Sequence, residues 1–534
     1  MTLLKISDLV VEARDDKGIR RIVDEVSVEV APGEVVGLIG ESGAGKSTLG
    51  LAALGYTRPH SRFAGGSILF DGQELLRLSR AERLAVRGAK VAYVAQSAAA
   101  SFNPAKTLDA QVCEPPVLHG LMSGKEAQAS AAGLYRELAL PDPDRFGQRY
   151  PHQVSGGQLQ RAMVAMAMSS RPRLIVFDEP TTALDVTTQV EVLASIRNII
   201  RKHGTAALYI SHDLAVVAQI ADRILVLRHG RMVETGPTEE ILSRPTQPYT
   251  RELVAARQAH PKVAPPRQNL ILEASGIDAA YAGGLVKVLS NIDLDVSRGE
   301  TVAIVGESGS GKSTFARVVT GLLPATKGRL TFMGKPLTPA LAQRSPEERR
   351  RIQLVHQMPD TALNPKATVG QILGRPLTMF RKVAGRDLQN RIGELLRLVD
   401  LAPDLAGRFP GQLSGGQKQR VCIARGLAAD PDLLVCDEVT SALDPLVAEG
   451  ILQLLMRLQE ETGVGILLIT HDLGVVRNYA DRVVVLEKGV VVDQGTVAEI
   501  FHPPYHGYTG RLLSSVPELR PGWLDGVLAS RAAA

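Results

Sequence analysis

The chain has 534 residues, more than one ordinary domain contains, and its 45% hydrophobic and 22% charged residues give it the composition of a globular protein. The formal net charge is only +5 and no long basic run is present, so nucleic-acid binding is not indicated. Three isolated cysteines provide neither a disulfide framework nor a Cys/His metal site, and no apolar run of about 18 residues predicts a membrane-spanning helix.

The first distinctive element is a short apolar run, EVVGLIG (34–40), that leads into GESGAGKST (40–48). The same arrangement returns as ETVAIVG (300–306) and GESGSGKST (306–314). A GxxxxGK[ST] pattern between a strand and a helix predicts a loop whose backbone N–H groups bind nucleotide phosphates. The predicted nucleotide-binding residues are Gly40, Glu41, Ser42, Gly43, Ala44, Gly45, Lys46, Ser47 and Thr48, then Gly306, Glu307, Ser308, Gly309, Ser310, Gly311, Lys312, Ser313 and Thr314.

Within each loop, the lysine would neutralise the β- and γ-phosphates, and Ser47 and Ser313 would ligate Mg²⁺. Further along, LIVFDE (174–179) and LLVCDE (433–438) each place two acids at the end of an apolar strand. Asp178 and Asp437 are predicted to hold Mg²⁺. Glu179 and Glu438 are predicted to polarise the attacking water.

Between these elements, VSGGQLQR (154–161) and LSGGQKQR (413–420) each place Ser-Gly-Gly before a helix. Exposed N–H groups and a hydroxyl at a helix start can bind an anion, although an ordinary serine cap explains either stretch taken alone. The apolar strands lack alternation, and helix-like stretches separate them. That pattern predicts an α/β fold with a mainly parallel sheet buried on both faces.

The landmarks recur in the same order, offset by 259 to 266 residues, so the chain contains two copies of one domain. A proline-rich stretch at 244–270 separates them. We predict domains at 1–262 and 263–534, each with a mainly helical insertion, at about 107–150 and 366–408.

The ordered series in both halves resembles the nucleotide-binding domains of ABC transporters: phosphate loop, glutamine after a strand, SGGQ, strand-DE, ALD and strand-HD. It covers nearly the whole chain, and SGGQ is highly specific to that superfamily. The resemblance implies two tandem P-loop NTPase domains, each with a RecA-like, mainly parallel core, a β-rich N-terminal part and a helical subdomain. It also implies an ATPase that uses ATP and Mg²⁺.

The resemblance assigns further roles. Gln96 and Gln357 would ligate Mg²⁺ and link the nucleotide to transmembrane subunits, and His212 and His471 would contact the γ-phosphate. Asp185 and Asp444 would lie at an interface between the halves. Without the resemblance, simpler interpretations are available: the glutamines would be polar strand ends, the histidines would lie at helix caps, and the aspartates would be surface acids. The SGGQ residues of each half would complete the ATP site of the other, in an intramolecular heterodimer: Ser155, Gly156, Gly157, Gln158, Ser414, Gly415, Gly416 and Gln417.

Finer features resemble the peptide/nickel importer branch. They are the Asn-Pro segments at 96–104 and 357–365, DEVTSALD, and the tails PTQPYTREL (245–253) and PPYHGYTGRLLSSVPE (503–518). This branch implies permease subunits, a solute-binding protein and no nucleic-acid partner. It also implies peripheral attachment at the cytoplasmic face of the inner membrane. The alternative is a soluble tandem ABC ATPase that acts on ribosomes or nucleic acid.

The two halves differ upstream of their loops. Tyr281 lies where the family's adenine-stacking aromatic residue usually falls, and alignment of the first half places Ala13 there. We therefore expect weaker adenine binding at the site that holds Lys46. Because both catalytic glutamates and both histidines are present, we expect two hydrolytically competent sites.

Overall fold

The computed structural model describes residues 2–15, 18–182, 184–255, 269–441 and 443–533. The chain forms two compact units, Met1–Arg257 with Pro517–Ala534, and Gln258–Val516. The domain boundary predicted at residue 262 lies outside the described residues, as do Ala183 and Ala442 of the two ALD motifs.

The first unit contains two sheets. Its strands are β1 Leu4–Asp15, β2 Gly18–Val30, β3 Val35–Gly40, β4 Ser61–Phe70, β5 Gln73–Glu74, β6 Val91–Val94, β7 Leu174–Asp178, β8 Ala206–Ile210, β9 Arg223–Arg228 and β10 Arg231–Pro237. Its helices are α1 Lys46–Ala52, α2 Arg80–Val86, α3 Ala98–Ser101, α4 Leu108–Val112, α5 Glu114–Leu118, α6 Gly124–Glu137, α7 Pro143–Phe146, α8 Gly156–Met168, α9 Val186–His203, α10 Leu214–Val217, α11 Thr238–Ser243 and α12 Pro248–Ala255.

The second unit repeats this order. Its strands are β11 Leu270–Tyr281, β12 Val286–Ser297, β13 Thr301–Val305, β14 Lys327–Phe332, β15 Lys335–Pro336, β16 Ile352–Val355, β17 Leu433–Asp437, β18 Gly465–Ile469, β19 Arg482–Glu487 and β20 Val490–Thr496. Its helices are α13 Lys312–Val319, α14 Pro346–Arg351, α15 Pro359–Ala362, α16 Val369–Arg381, α17 Gly385–Leu398, α18 Gly415–Leu427, α19 Pro445–Thr462, α20 Leu473–Tyr479, α21 Val497–Ile500 and α22 Gly507–Ser514. A last helix, α23 Trp523–Ala533, belongs to the first unit.

Each unit combines a small antiparallel sheet with a six-stranded core sheet. The antiparallel orders are β2-β1-β4-β5 and β12-β11-β14-β15, and the core orders are β10-β9-β3-β8-β7-β6 and β16-β17-β18-β13-β19-β20. All pairings within the core sheets are parallel except β9–β10 and β19–β20. These arrangements confirm the predicted α/β fold, the β-rich N-terminal parts and the parallel cores.

The apolar runs explain the core sheets. Every residue of β3, β7, β8, β13 and β18 is buried, as expected for strands covered on both faces. Because neighbouring parallel strands end at the same edge, the segments that follow β3, β6, β7 and β8 converge there. Helices α4–α7 and α16–α17 fall in the stretches predicted to be helical insertions.

The C-terminal segment, residues 517–533, packs within the first unit although it follows the second in sequence. Asp525 forms an ion pair with Arg197 of α9 at 2.5 Å. The amide nitrogen of Gln219, just after α10, donates to the carbonyl oxygens of Glu518 (2.8 Å) and Arg520 (3.1 Å). The side chains at 523, 524 and 527 are buried.

Candidate functional site

The phosphate loop of the first unit connects β3 to α1. Gly45 has a φ of 96°, and an added Cβ would lie 2.7 Å from the carbonyl oxygen of Ile22, so only glycine fits. Lys46 is 6% exposed, and its Nζ donates to the carbonyl oxygens of Gly40 (2.6 Å) and Glu41 (2.9 Å). The loop thus folds around its own ammonium group, which leaves a concave backbone suited to phosphate oxygens.

The second unit repeats this loop between β13 and α13. Lys312 is 5% exposed and donates to the carbonyl oxygens of Gly306 and Glu307, both at 2.8 Å. The loops differ at Ser310, whose buried Oγ has no hydrogen-bond partner among the described residues, where the first unit has Ala44. The two loops therefore share one backbone and lysine geometry.

A serine–aspartate pair lies beside each loop. Ser47 Oγ donates to Asp178 Oδ1 at 2.9 Å, and Ser313 Oγ donates to Asp437 Oδ1 at 3.0 Å. In the first unit, Tyr93 of β6 donates its hydroxyl to the second oxygen of Asp178 at 2.6 Å, whereas the second unit has a leucine there. Burial raises the pKa of Asp437, and the hydrogen bond from Ser313 opposes that shift.

Three predicted residues meet at one carboxylate in the first unit. Glu179 Oε2 accepts hydrogen bonds from Gln96 Nε2 at 3.0 Å and from Thr182 Oγ1 at 3.1 Å. His212 Nδ1 lies 3.3 Å from the same oxygen. The ends of β6, β7 and β8 deliver glutamine, glutamate and histidine to one point, as the shared sheet edge requires.

The second unit assembles the same group. Glu438 Oε2 accepts from Gln357 Nε2 at 2.6 Å, and His471 Nδ1 lies 3.5 Å from its other oxygen. Gln357 also donates to Ser441 Oγ at 3.4 Å. In the second copy too, a glutamine 81 positions before the glutamate and a histidine 33 positions after it converge on its carboxylate.

Charge stabilises the ionised glutamates. The hydrogen bond between Glu438 and His471 lowers the pKa of the glutamate and raises the pKa of the histidine. For Glu179, burial favours a higher pKa, but the contacts with His212 and the charge of Lys46 outweigh it and lower the pKa. Both glutamates are thus carboxylates at neutral pH, the form that can accept a proton.

The backbone at both glutamates is strained. Glu179 and Glu438 have φ values of 49° and 48°, a region that non-glycine residues rarely adopt. Their N–H groups donate to the carbonyl oxygens of Ile210 and Ile469 at 2.9 Å, which ties each glutamate to the neighbouring strand. The two copies therefore hold their glutamates in the same backbone conformation.

The SGGQ segments begin long helices. Ser155 Oγ accepts a hydrogen bond from the N–H of Gln158, and the side-chain oxygen of Gln158 accepts one from the N–H of Ser155, which forms a capping box at the start of α8. Ser414 and Gln417 do the same for α18. The structure therefore places these serines as caps at exposed helix starts.

The second glycine of each SGGQ packs against a neighbouring helix. A Cβ on Gly157 would collide with a methyl carbon of Thr188 in α9, and a Cβ on Gly416 would meet a valine carbon of α19 at 2.5 Å. Those helices begin at the caps Asp185 and Asp444, the aspartates of the ALD motifs. Close packing thus fixes each SGGQ against the helix that begins at the ALD aspartate of its own unit.

The strand register equates Ala13 with Tyr281. In the antiparallel pairs, Ala13 lies opposite Arg20 and Tyr281 lies opposite Val286, and Arg20 and Val286 both lie 20 residues before the first glycine of their phosphate loop. The Tyr281 hydroxyl lies 3.3 Å from Thr314 Oγ1, next to the phosphate loop. The second unit therefore presents an aromatic ring beside its loop at a position where the first unit has alanine.

Sequence reasoning missed three tyrosines. Tyr93 supports Asp178, as described above, and the hydroxyls of Tyr249 and Tyr508 accept hydrogen bonds from the first N–H groups inside the two phosphate loops. The sequence signal that could have identified Tyr249 and Tyr508 is their recurrence 259 positions apart, the same offset that separates the two SGGQ motifs.

Two sites of this construction, each at the carboxyl edge of a parallel sheet, place the protein in the class of P-loop nucleotide hydrolases. Comparison with known sequences narrows that class. Residues 23–182 and 289–441 match the family described as "ABC transporter", and residues 233–279 and 492–533 match "Oligopeptide/dipeptide transporter, C-terminal region". The chain belongs to the ABC transporter family, and it is an ATP-binding and hydrolysing subunit with two fused ATPase domains.

Two similar proteins match nearly the whole chain. The chain is 38% identical over 96% of its length to "Peptidoglycan transport ATP-binding protein YejF" of Agrobacterium fabrum, of which 96% is covered. It is 35% identical over 97% of its length to "Glutathione import ATP-binding protein GsiA" of Escherichia coli, of which 90% is covered. A solved structure, cbiO1 from Clostridium perfringens, is 32% identical over 44% of this chain and 91% of its own, with a TM-score of 0.40.

Within the part of the chain that the structure describes, no helix is both long and apolar enough to span a membrane. The same residues contain no group of three or more His, Cys, Asp or Glu side chains arranged to hold a metal ion. The Ser47–Asp178 and Ser313–Asp437 pairs place hydroxyl and carboxylate oxygens at the phosphate loops.

Proposed function

We propose that this chain hydrolyses ATP at two sites to power the import of peptides, or of a related peptide-like solute, through separate permease subunits. The observation that carries the catalytic part is that glutamine, glutamate and histidine meet beside a phosphate loop in both units. The C-terminal region that each half shares with oligopeptide/dipeptide transporters supports the solute class.

At each site, the loop N–H groups and the lysine bind the phosphates. Lys46 and Lys312 exchange their carbonyl partners for phosphate oxygens, which costs little because one set of oxygens replaces another. Glu179 and Glu438, held ionised by the neighbouring histidines, orient and polarise the attacking water. His212 and His471 contact the γ-phosphate of the bound ATP.

Mg²⁺ fits the residues present. Ser47 with Asp178, and Ser313 with Asp437, supply hard oxygen donors in hydrogen-bond contact with each other, the ligand type that Mg²⁺ prefers. Gln96 and Gln357 complete the proposed ligand set. When bound there, the ion would supply positive charge that offsets the negative charge developing on the phosphates during hydrolysis.

We further propose that the two halves act as an intramolecular pair, with each SGGQ completing the ATP site of the other half. The repeat of complete motifs supports this proposal, since each half carries both a phosphate loop and an SGGQ. Fusion keeps the partner half at high effective concentration. Permease subunits at the inner membrane would convert closure and reopening into transport, with a solute-binding protein delivering the solute.

The experiment is affinity purification of the tagged full-length chain from solubilised membranes, followed by mass spectrometry. We expect two integral membrane proteins to co-purify and to transport a labelled oligopeptide in ATP-loaded proteoliposomes. The matched control is the Lys46→Ala/Lys312→Ala double variant, which should recover the same proteins without transport. Recovery of ribosomal RNA and no integral membrane protein would overturn the proposal.

A further inference from the structure

The tail of each half contains a tyrosine that reaches the phosphate loop. Tyr249 OH accepts a hydrogen bond from the backbone N–H of Glu41 at 3.1 Å, and Tyr508 OH accepts one from the N–H of Glu307 at 3.0 Å. Both tyrosines are buried, at 3% and 4% exposure. Each loop is therefore held at its first internal residue by a side chain from about 200 positions further along the chain.

The tail helices that carry these tyrosines are anchored in both units. Thr246 donates from its backbone and hydroxyl to Glu234 of β10, at 2.8 and 2.7 Å, just before α12. In the second unit, Thr509 donates its hydroxyl to Asp493 of β20 at 2.7 Å. An acid on the last strand of each core sheet thus fixes the position of the tail, and with it the tyrosine.

A guanidinium lies over each tyrosine ring, but the two units supply it differently. In the first unit, Arg228 at the end of β9 lies 4.5 Å from the ring centroid of Tyr249. In the second unit, Arg511 of α22 lies 5.7 Å from the ring of Tyr508 and 3.7 Å from Glu487, which occupies the position of Arg228. In both units a guanidinium therefore lies over the ring of the tail tyrosine, but residues at different positions supply it.

The exchange is reciprocal. Where the second unit has Arg511 on the tail helix and Glu487 on the strand, the first has Glu252 and Arg228. The cation over the ring is retained although the element that carries it has changed. This compensation within one chain indicates that the pose of the tyrosine matters, and not only the packing of the tail.

We propose that Tyr249 and Tyr508 are positioning residues for ATP binding, which latch the start of each phosphate loop in its binding conformation. The inference rests on the proposed sites and adds a role for the PYT and GYT tails. Loop N–H groups bind phosphate in the ground state and the transition state alike, so loosening the loop weakens binding and leaves the chemical step nearly unchanged.

The test is the steady-state ATPase activity of the full-length Tyr249→Phe/Tyr508→Phe variant. We expect KM for ATP to rise about five- to tenfold, the worth of one lost hydrogen bond, with kcat within about twofold of the wild type. Tyr505→Phe is the matched control, since Tyr505 is an exposed tail tyrosine that hydrogen-bonds to Phe501, and its KM should not change.

A rescue experiment separates positioning from packing. In the Lys312→Ala chain, in which only the first site binds ATP, Arg228→Glu should raise Kd for ATP, and Arg228→Glu/Glu252→Arg, which copies the second unit's arrangement, should restore it. An unchanged KM in the double tyrosine variant would overturn the latch, as would a loss of kcat at constant KM. Complete absence of hydrolysis in the wild-type chain would instead overturn the proposed function itself.

Discussion

Tyr281→Ala should weaken nucleotide binding at the second site and leave the first unaffected. The strand register places Tyr281 beside the phosphate loop through its 3.3 Å contact with Thr314, and equates it with Ala13 of the first unit. Stacking of an aromatic ring on a base is worth about 1–3 kcal/mol in nucleic-acid sites. At 1.4 kcal/mol for each factor of ten, Kd for ATP should rise about 5- to 150-fold.

The assay is equilibrium binding of ATP to chains in which only one site can bind. Lys46→Ala isolates the second site and Lys312→Ala isolates the first, so the first comparison is between these two variants. The Lys46→Ala chain should bind ATP more tightly, and adding Tyr281→Ala should remove most of that advantage. Conversely, adding Ala13→Tyr to the Lys312→Ala chain should tighten binding.

Equal ATP affinities of the Lys46→Ala and Lys312→Ala chains would refute this reasoning. A matched binding series with triphosphate lacking a base provides the control, because the tyrosine should not affect its affinity at either site. If Tyr281→Ala weakened both ligands equally, the residue would act on the loop through Thr314 and not on the base.

Three further outcomes follow from local contacts. Gly157→Ala should lower ATPase activity at least about tenfold, because the new methyl group collides with Thr188 and overpacking shifts the SGGQ helix; Gly133→Ala within α6, where an added Cβ meets nothing within 4 Å, is the control. Tyr93→Phe should reduce the free energy of unfolding of the first unit by about 1–2 kcal/mol in urea titrations, since Asp178 loses a hydrogen bond; an unchanged midpoint would contradict this. Burial raises the pKa of Cys436 to about 12, so its thiol should resist iodoacetamide at about pH 8 until the protein is denatured, as mass spectrometry of the labelled chain would reveal.

Much of the fold followed from the sequence because its signals are local. A few neighbouring residues are enough to recognise an apolar run such as residues 174–179, a glycine loop or a helix start. Because each motif occurs twice, the same domain could be predicted from either half of the chain. The parallel sheet then explains why Gln96, Glu179 and His212 meet, since they follow three neighbouring strands.

Other contacts join residues whose separation hides them from local patterns. Arg197 and Asp525 are 328 positions apart, and nothing in either stretch indicates that the C-terminal segment packs within the first unit. Tyr249 was visible only as part of a tail motif, because its partner is a backbone N–H group in Glu41 that has no sequence signature. Tertiary packing, and not local propensity, decides such contacts.

The most direct test of the central claim is ATP hydrolysis by four purified chains: wild type, Glu179→Gln, Glu438→Gln and the double variant. Because both glutamates have the same strained backbone and the same glutamine and histidine contacts, each single substitution should lower turnover to a similar degree, and the double variant should be inactive. Full activity in the Glu179→Gln chain together with none in the Glu438→Gln chain would contradict the account of two working sites.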